Sequence, residues 1–516
     1  MANQSEKHNA TSLPQSVYSA DWVRQAERRA AQETGISLFV LMQRAAAAAF
    51  THAQRTFPNA HHWLILCGHG NNGGDGYELA RLAKQAGLNV TLLAVNQDKP
   101  LPEEAQRARD AWLESGGQVG ESSSEWPPSV DLIIDALLGT GLSSAARAPY
   151  DQLIAAINRH AAPVVALDIP SGLAAETGVA AGRVVYANLT TCFLALKPGL
   201  LTGQARDYVG TLHYDSLGLE SWLRHHPALL QRLDAQHINR WFAPRRPCSH
   251  KGEHGRLLLI GGDIGFAGAI RMAGEAALRA GAGLVRVLTH QKHAGPMLTA
   301  CPELMVETLN DAALSAGIQW ATAIVIGPGL GQGEWGKSAY QQVANSEKPA
   351  LWDADALNML AKSPQKRQNR VLTPHPGEAA RLLGCSIQDI ESDRLLSIKK
   401  LVERFGGTVV LKGAGTLIAA QNEIATKGAV AEQEWQLAIA DVGNAGMASG
   451  GMGDVLSGII GSLLAQKHSL YDAACAGTLV HGAAADSIAL RQGTRGMLAT
   501  DLITEILPWV NPGQKK

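Results

Sequence analysis

The chain has 516 residues, of which 46% are hydrophobic and 18% are charged, a composition that can fill large buried cores and is atypical of a disordered protein. Its 45 Lys and Arg residues nearly equal its 46 Asp and Glu residues, so no net charge attracts nucleic acid or an anionic membrane. We therefore predict a globular protein of two domains that binds neither nucleic acid nor a membrane. Any anionic ligand is expected to be held by the local geometry of its site.

The cysteines and the start of the chain favour a reducing compartment. The six cysteines include no C-x-x-C pair, which argues against a disulfide framework and against a zinc cluster. Residues 1–15 are polar and lack the apolar core of a signal peptide, and no run of about 18 apolar residues predicts a membrane span. We expect a cytoplasmic protein.

The first half of the chain alternates helices with short apolar strands. Residues 17–56 have the apolar spacing of helices, and a strand at 63–66 is followed by a glycine loop at 68–76 and a helix at 77–87. Further strands are predicted at 89–94, 131–135 and 163–168. Strands separated by helix-length segments are typical of a parallel sheet covered on both faces. The first half is therefore predicted to be a Rossmann-like three-layer sandwich.

Unusual polar residues follow these strands, at the edge of the sheet where α/β proteins bind ligands. The sequence NNGGDG at 71–76 follows the first strand, Asp135 and Asp168 end later strands, and Lys197 comes after another. A tight turn also favours such residues. However, three strand ends that each combine an acid or a lysine with glycines favour an active site.

Two chemical roles fit these side chains. Asp168 and Lys197 are a carboxylate and an ammonium that could exchange protons with a substrate. Asn72, Asp135 and Ser171 offer oxygen atoms of the kind that a hard cation takes as ligands. The sequence thus predicts acid–base chemistry and a cation site in the first half.

The motifs NNGGDG, DALLGTG, LDIPSGL and LKPG together resemble the NAD(P)H-hydrate epimerase domain over roughly residues 15–220. The resemblance implies catalysis by Asp168, with Lys197 as a further catalytic position of open role, and potassium bound by Asn72, Asp135 and Ser171. It also implies two substrate-binding loops, made of Asn71, Asn72, Gly73, Gly74, Asp75, Gly139, Thr140, Gly141, Leu142, Ser143, Ser144 and Ala145, with Asp168 also facing the substrate. The early helix of the family has the sequence L-M-E-R-A-G, whereas this chain has LMQRAA at 41–46. The differing positions, Gln43 and Ala46, lie in a packing helix.

A change of composition between 216 and 250, with Pro244 and Pro247 flanking two arginines, is typical of a connection between domains. We place the boundary near 225, which gives domains 1–225 and 226–516. The second begins with a strand at 256–260. Its later elements are a helix at 268–280 and strands at 284–288, 323–326, 349–352 and 408–411. This is a second α/β domain, and its loop motifs differ from those of the first.

The stretch 443–458, GNAGMASGGMGDVLSG, reads as a glycine-rich loop that opens a helix. Its glycines allow close approach to a ligand, and the helix start directs N–H groups and a positive dipole end at an anion such as phosphate. Asp454 is either the N-cap of that helix or a base that takes a proton from a hydroxyl. Likewise, Asp353 and Asp355 are either caps or ligands, and the loop after Lys412 is either a phosphate loop or an ordinary turn.

The G-x-G-D string at 451–454 resembles the ribokinase-like superfamily. With LTPHPGE at 372–378 and LKGAGT at 411–416, the string NAGMASGGMGD resembles the dehydratase domain of bifunctional NAD(P)H-hydrate repair enzymes, from about 228 onwards. The resemblance implies that Ala269, Gly329, His375 and Asp454 face the hydrated dinucleotide. It further implies nucleotide contacts from Lys412, Gly413, Ala414, Gly415, Thr416, Asn444 and Gly453.

The implied function is repair of NADH hydrate and NADPH hydrate. The first domain would interconvert the R and S epimers. The second would dehydrate the S epimer using ADP, giving AMP and phosphate. Magnesium is expected as a cofactor of this step, and the protein is expected to form a homo-oligomer. Nothing in the residues separates ADP from ATP as donor. Two alternatives are a small-alcohol kinase, which would leave a stable phosphorylated alcohol, and a scaffold without catalysis.

Overall fold

The computed structural model describes residues 13–95, 99–142, 144–424 and 432–513. Within it the chain forms two compact units, Met1–Gln231 and Arg232–Lys516. The division falls a few residues after the predicted boundary near 225. Both units are α/β, as the sequence predicts.

The first unit is built on a parallel sheet in the order β4-β3-β2-β5-β6-β7-β8. A short strand near its start, β1, pairs antiparallel with β9. The strands are β1 (Ser16–Val17), β2 (His62–Cys67), β3 (Asn89–Ala94), β4 (Gly120–Glu121), β5 (Leu132–Ala136), β6 (Val164–Leu167), β7 (Leu189–Phe193), β8 (Thr211–Asp215) and β9 (Leu230–Arg232). The helices are α1 (Ala20–Thr34), α2 (Leu38–Thr56), α3 (Asn71–Gln85), α4 (Glu103–Glu114), α5 (Tyr150–Arg159), α6 (Ala205–Tyr208) and α7 (Glu220–Leu223).

Strand β2 shows why this sheet reads as a continuous apolar run. Side chains along a strand alternate between its two faces. Trp63, Ile65 and Cys67 pack into one hydrophobic core, whereas Leu64 and Leu66 pack into the core on the opposite face. Because helices cover both faces, neither set of side chains meets water and no polar alternation appears.

The predicted loop at 68–76 is wrong in part, because α3 already begins at Asn71. Glycine lowers helix propensity, so a run of glycines predicts a loop. Here packing overrides propensity: a Cβ on Gly73 would lie 2.0 Å from the carbonyl oxygen of Gly68. The predicted helical segment at 17–56 is also divided, into the end of β1 and helices α1 and α2.

The second unit has a central sheet in the order β18-β17-β16-β15-β14-β13-β10-β11-β12. Strands β16 to β18 are antiparallel neighbours, and the other pairs are parallel. The strands are β10 (Arg256–Ile260), β11 (Leu284–Thr289), β12 (Met305–Thr308), β13 (Ala323–Ile326), β14 (Ala350–Trp352), β15 (Arg370–Leu372), β16 (Thr408–Leu411), β17 (Thr416–Ile424) and β18 (Glu432–Ala440).

The helices of this unit are α8 (Ala267–Arg279), α9 (Gln291–Ala300), α10 (Asp311–Trp320), α11 (Glu334–Ala344), α12 (Ala354–Lys362), α13 (Pro376–Leu383), α14 (Ile387–Ser392), α15 (Arg394–Phe405), α16 (Met452–Ala465), α17 (Leu470–Gln492) and α18 (Ala499–Val510). Helix α16 is buried over most of its length. It packs tightly on α8, since a Cβ on Gly458 would lie 2.1 Å from the carbonyl oxygen of Ala273. This packing fixes the helix start that carries Asp454.

Helix α17 is long and apolar enough to cross a membrane by length and composition. Nevertheless, 78% of its most apolar window is buried inside the protein, as in the core helix of a globular domain. Its composition is therefore accounted for by the core of the second unit.

Candidate active sites

The first site centres on an ion pair between Asp168 and Lys197, which follow the adjacent strands β6 and β7. The Nζ of Lys197 donates to Oδ1 of Asp168 and, over 3.0 Å, to the carbonyl oxygen of Phe193. Asp168 has a left-handed φ of 65°, a conformation that Asp tolerates better than most residues. Its Oδ1 also accepts the N–H of Phe193 over 3.1 Å. The carboxylate is thus held in one orientation.

Burial alone would lower the pKa of Lys197, whose side chain is 1% exposed. The negative charge of Asp168, and then Cys192, outweigh burial and raise that pKa above its ordinary value. The lysine is therefore a fixed cation at neutral pH, and its partner supplies the compensating charge.

Two further carboxyl groups share this single lysine. Burial, and then the charge of Asp168, raise the pKa of Glu27 on α1 to about 7. Burial, and then Glu27 and Asp168, raise the pKa of Asp75 well above its usual range. Sequence reasoning missed Glu27, because a single glutamate on an amphipathic helix reads as a solvated residue until the fold brings it to the site.

The three predicted cation ligands lie around the backbone of Leu138. Ser171 donates to Asp135 through Oγ over 2.6 Å and through N–H over 2.8 Å, and its Oγ accepts the N–H of Leu138 over 2.8 Å. Asn72 donates through Nδ2 to the Leu138 carbonyl oxygen over 3.1 Å. Burial raises the pKa of Asp135 to about 6 despite these hydrogen bonds.

One atom of this cluster fits a cation. The Oδ1 of Asn72 is buried and has no hydrogen-bond partner. A buried oxygen without a partner, beside a carboxylate and a hydroxyl, suits an ion that takes oxygen ligands. Among the described residues, no group of three or more His, Cys, Asp or Glu side chains is placed to hold a metal, so a zinc-type site is not indicated there.

The two predicted substrate loops come together at Gly139, where an added Cβ would lie 3.4 Å from Cβ of Asn72. Residues 71–75 form the first turn of α3, whose N-cap, Gly70, provides no side-chain hydrogen bond. Arg24 of α1 donates to the carbonyl oxygen of Thr140 over 2.8 Å. The loop continues through Gly141, Leu142, Ser144 and Ala145 towards the surface; Ser143 lies outside the described residues.

The second site is built around Asp353 and Lys412, which follow strands β14 and β16. The Nζ of Lys412 lies 3.1 Å from Oδ1 of Asp353, and Ser457 on α16 donates to Oδ2 over 2.9 Å. Asp353 occupies the N-cap position of α12 without making the cap hydrogen bond, because its carboxylate faces the lysine. Asp353 is therefore at the cap position that one interpretation gave it, but its carboxylate does not cap the helix.

Asp454 is the third residue of α16, and the N-cap is Gly451, with a φ of 93°. The interpretation of Asp454 as an N-cap is therefore wrong. Burial, and then the charge of Asp353, raise the pKa of Asp454 to about 7, while Lys412 opposes the shift. Gly453 lies beside the same pair, since its added Cβ would be 3.3 Å from Nζ of Lys412. A half-buried carboxyl that titrates near neutrality is suited to general-base work.

His375 caps α13. Its Nδ1 accepts the N–H of Gly377 over 3.0 Å, and Glu378 accepts the N–H of His375 over 2.8 Å. Burial, and then Lys412, lower the pKa of His375, which makes the ring neutral at pH 7. Glu378 lies 3.7 Å from Nζ of Lys412, and burial raises its pKa. Sequence reasoning did not single out Glu378, and its position in a capping box gave no sign of that contact.

The remaining predicted contacts form two groups. Gly329, with a φ of 58°, adjoins Ala269, because an added Cβ on Gly329 would lie 3.4 Å from Cβ of Ala269. Residues 412–416 form the turn between β16 and β17, closed by a 2.9 Å hydrogen bond from Thr416 Oγ1 to the carbonyl oxygen of Gly413. Asn444 begins a short 3₁₀ turn and donates to Asp486 over 2.9 Å.

Comparison with known proteins places both halves in one family. Residues 257–508 match the family model for NAD(P)H-hydrate dehydratase, and residues 38–199 match the model for the YjeF-related protein N-terminus. The chain is 60% identical over 512 residues to the bifunctional NAD(P)H-hydrate repair enzyme Nnr of Escherichia coli K12, covering 99% of this chain and 97% of that protein. The chain belongs to the bifunctional NAD(P)H-hydrate repair enzymes.

A second curated relative agrees with this membership. The repair enzyme of Leishmania braziliensis is 46% identical, covering 95% of this chain and 92% of that protein. Among solved structures, the chain is similar to the ADP/ATP-dependent NAD(P)H-hydrate dehydratase of Bacillus subtilis, co-crystallised with ATP and Mg²⁺. The sequence identity is 28% and the TM-score is 0.47, and the match covers 54% of this chain and 96% of the Bacillus subtilis chain. The predicted fold class of two α/β domains with parallel sheets agrees with the structure, and the predicted epimerase and dehydratase functions are confirmed. Neither the small-alcohol kinase nor the scaffold is favoured.

The charge of Asp353 generates a prediction about pH. Replacing Asp353 by Asn keeps an acceptor for Ser457 but removes the charge that raises the pKa of Asp454. With Asp454 acting as the base of dehydration, the rate should rise with pH as that carboxyl ionises, and we expect it to reach half its maximum at lower pH in Asp353→Asn. Rate against pH is measured with the S epimer.

The control is Asp355→Asn, on the same helix, whose carboxylate instead accepts the N–H of Gly331 over 2.9 Å. That variant should keep the wild-type midpoint. An unmoved midpoint in Asp353→Asn would contradict the electrostatic coupling between Asp353 and Asp454.

Proposed function

We propose that Asp454 is the general base of dehydration. Water added across the C5–C6 bond of the nicotinamide ring leaves a hydroxyl at C6, which is a poor leaving group. Asp454 would take the hydroxyl proton while the oxygen attacks the terminal phosphorus of the nucleotide, so that a C6 phosphate ester forms and the nucleotide leaves one phosphate shorter. Loss of phosphate from C6 and of a proton from C5 then restores the reduced ring.

The nucleotide is proposed to be ADP, which yields AMP and phosphate. The start of α16, with glycines and without a side-chain cap, offers backbone N–H groups to phosphate, and Lys412 adds a positive charge beside it. The nucleotide would be held by residues 412–416, Asn444 and Gly453. The hydrated dinucleotide would be held by Ala269, Gly329 and His375. The naming of the Bacillus subtilis relative as ADP/ATP-dependent supports a nucleotide here.

Magnesium is proposed to accompany the nucleotide. Mg²⁺ is bound through phosphates and one or two carboxylates, and when bound it neutralises developing charge on the transferred phosphoryl group. Asp353 is a carboxylate beside the start of α16, where Ser457 donates to it, so it fits the ion as the carboxylate ligand that accompanies the phosphates.

In the first domain, Asp168 is proposed as the acid–base residue of epimerisation, held by Lys197. Residues 71–75 and 139–145 would bind the substrate. Asn72, Asp135 and Ser171 would hold potassium, which when bound supplies a fixed positive charge near the substrate; the unpartnered Oδ1 of Asn72 supports this assignment. We further propose that the enzyme acts on both NADH hydrate and NADPH hydrate, forms a homo-oligomer and is cytoplasmic. The proposed domain bounds are 1–225 and 226–516.

The proposed base is tested by Asp454→Asn. The amide cannot accept a proton, so dehydration should fall on the order of 10²–10⁴-fold, while ADP binding persists because the backbone donors remain. Dehydration is followed by the absorbance of the reduced nicotinamide, and ADP binding by calorimetry.

A matched control is Asp501→Asn, which changes the third residue of another helix, α18. It removes the same charge from the same position in a helix and should leave dehydration near the wild-type rate. Near-normal dehydration by a folded, ADP-binding Asp454→Asn variant would remove the catalytic assignment.

The proposed potassium site is tested by cation exchange at matched ionic strength. Replacing potassium by tetramethylammonium should slow epimerisation, because a bulky organic cation does not fit among the Asn72, Asp135 and Ser171 oxygens. Potassium should also raise the melting temperature of the wild-type protein and raise it less in Asn72→Ala, since a ligand stabilises the state that binds it. Equal epimerisation rates in the two salts would mean that these side chains only brace the loops.

A further inference from the structure

Helix α1 is anchored against the loops of the epimerase site. Just before it, Val17 forms a parallel bridge with Leu196, and the N–H of Tyr18 donates to the Leu196 carbonyl oxygen over 2.8 Å. The chain therefore enters α1 beside the residue that precedes Lys197. This placement is fixed by backbone hydrogen bonds, which do not depend on side-chain rotamers.

One face of α1 meets a site loop. Arg24 donates to the carbonyl oxygen of Thr140, in the 139–145 loop, over 2.8 Å. In an α-helix, positions 24 and 27 lie about 60° apart around the axis. Glu27 therefore projects from the same side of the helix as Arg24.

Charged groups of that site act on Glu27. They are Asp168 and Lys197 at the strand ends and Asp75 on α3, while Glu104 on α4 and Arg28 on α1 itself also act on it. Burial is the largest cause that raises the pKa of Glu27, to about 7, followed by the charge of Asp168. Lys197 is already paired with Asp168, so Glu27 carries its proton in a large fraction of molecules at neutral pH.

Epimerisation at C6 requires chemistry on both faces of the nicotinamide ring. As the C6–O bond breaks, the lone pair of N1 forms a C6=N1 double bond and the departing oxygen takes a proton, leaving as water. Water then adds to C6 from the other face, the double bond returns its electrons to N1, and the entering oxygen gives up a proton. One carboxyl group cannot reach both oxygens, so the reaction needs an acid on one face and a base on the other.

We propose that Glu27 is the second acid–base residue of the epimerase, acting on the ring face opposite to the one that Asp168 serves. In one direction Glu27 donates the proton to the departing oxygen and Asp168 accepts one from the entering water. In the other direction the roles exchange, and solvent restores the starting protonation after each turnover. This inference rests on the proposed role of Asp168.

The test is Glu27→Gln, measured without nucleotide by following the R and S epimers by NMR. Epimerisation should fall on the order of 10²–10⁴-fold in both directions equally, because a catalyst cannot change the equilibrium. The limb of the pH–rate profile with an apparent pKa near 7 should disappear, and Glu27→Asp should recover part of the rate. A residue that only supports the fold would not move the profile.

Glu33→Gln is the matched control, because Glu33 is an exposed glutamate on the same helix that pairs with Arg29 over 2.8 Å. It should epimerise at the wild-type rate. Glu27→Gln within a few-fold of wild type, or slowed with the pH limb unchanged, would overturn the inference. Asp168→Asn is measured in parallel: if it is inactive while Glu27→Gln is active, only the role of Glu27 fails, and if it is active, the role of Asp168 fails as well.

Discussion

In each unit, one lysine beside the site faces more carboxyl groups than it can neutralise. Lys197 and Lys412 each pair with one aspartate, and burial then raises the pKa of the carboxyl groups left over, in the case of Glu27 and Asp454 to about 7. A buried carboxylate without a counter-charge is costly, so these groups share their protons with solvent near neutral pH. That excess of acids over bases gives each site a group able to donate or accept a proton in the physiological range.

The same shifts lower stability. A carboxyl group whose pKa is higher in the folded than in the unfolded chain favours folding less as pH rises from the ordinary carboxyl range, about 4, through the folded value near 7. Rigid surroundings hold these groups in place: β6 and β7 position the first lysine pair, and the packing of α16 on α8 fixes Asp454. The sites therefore lie on well-buried elements and on the loops those elements fix.

Apolar runs predicted most strands because buried parallel strands need no polar alternation, as in β2. Motif order predicted the family and both activities, and strand ends drew attention to Asp168 and Lys197, which the structure brings together as an ion pair. Prediction failed where tertiary packing overrides local preference, as at the helical NNGGDG segment, and where a residue's role depends on distant partners. Glu27 had no local signal, because its neighbours Asp168 and Lys197 are far away in the chain.

Sequential action of two sites on one substrate is tested most directly with the purified R epimer of NADH hydrate and ADP. Reduced nicotinamide is followed by absorbance together with released phosphate. The wild-type chain should convert all of the R epimer, with one phosphate per NADH. Asp168→Ala should convert it only as fast as spontaneous epimerisation supplies the S form, while it converts added S epimer normally. Rapid conversion of the R epimer by Asp168→Ala, or accumulation of a stable phosphorylated dinucleotide in the wild type, would contradict this sequence of reactions.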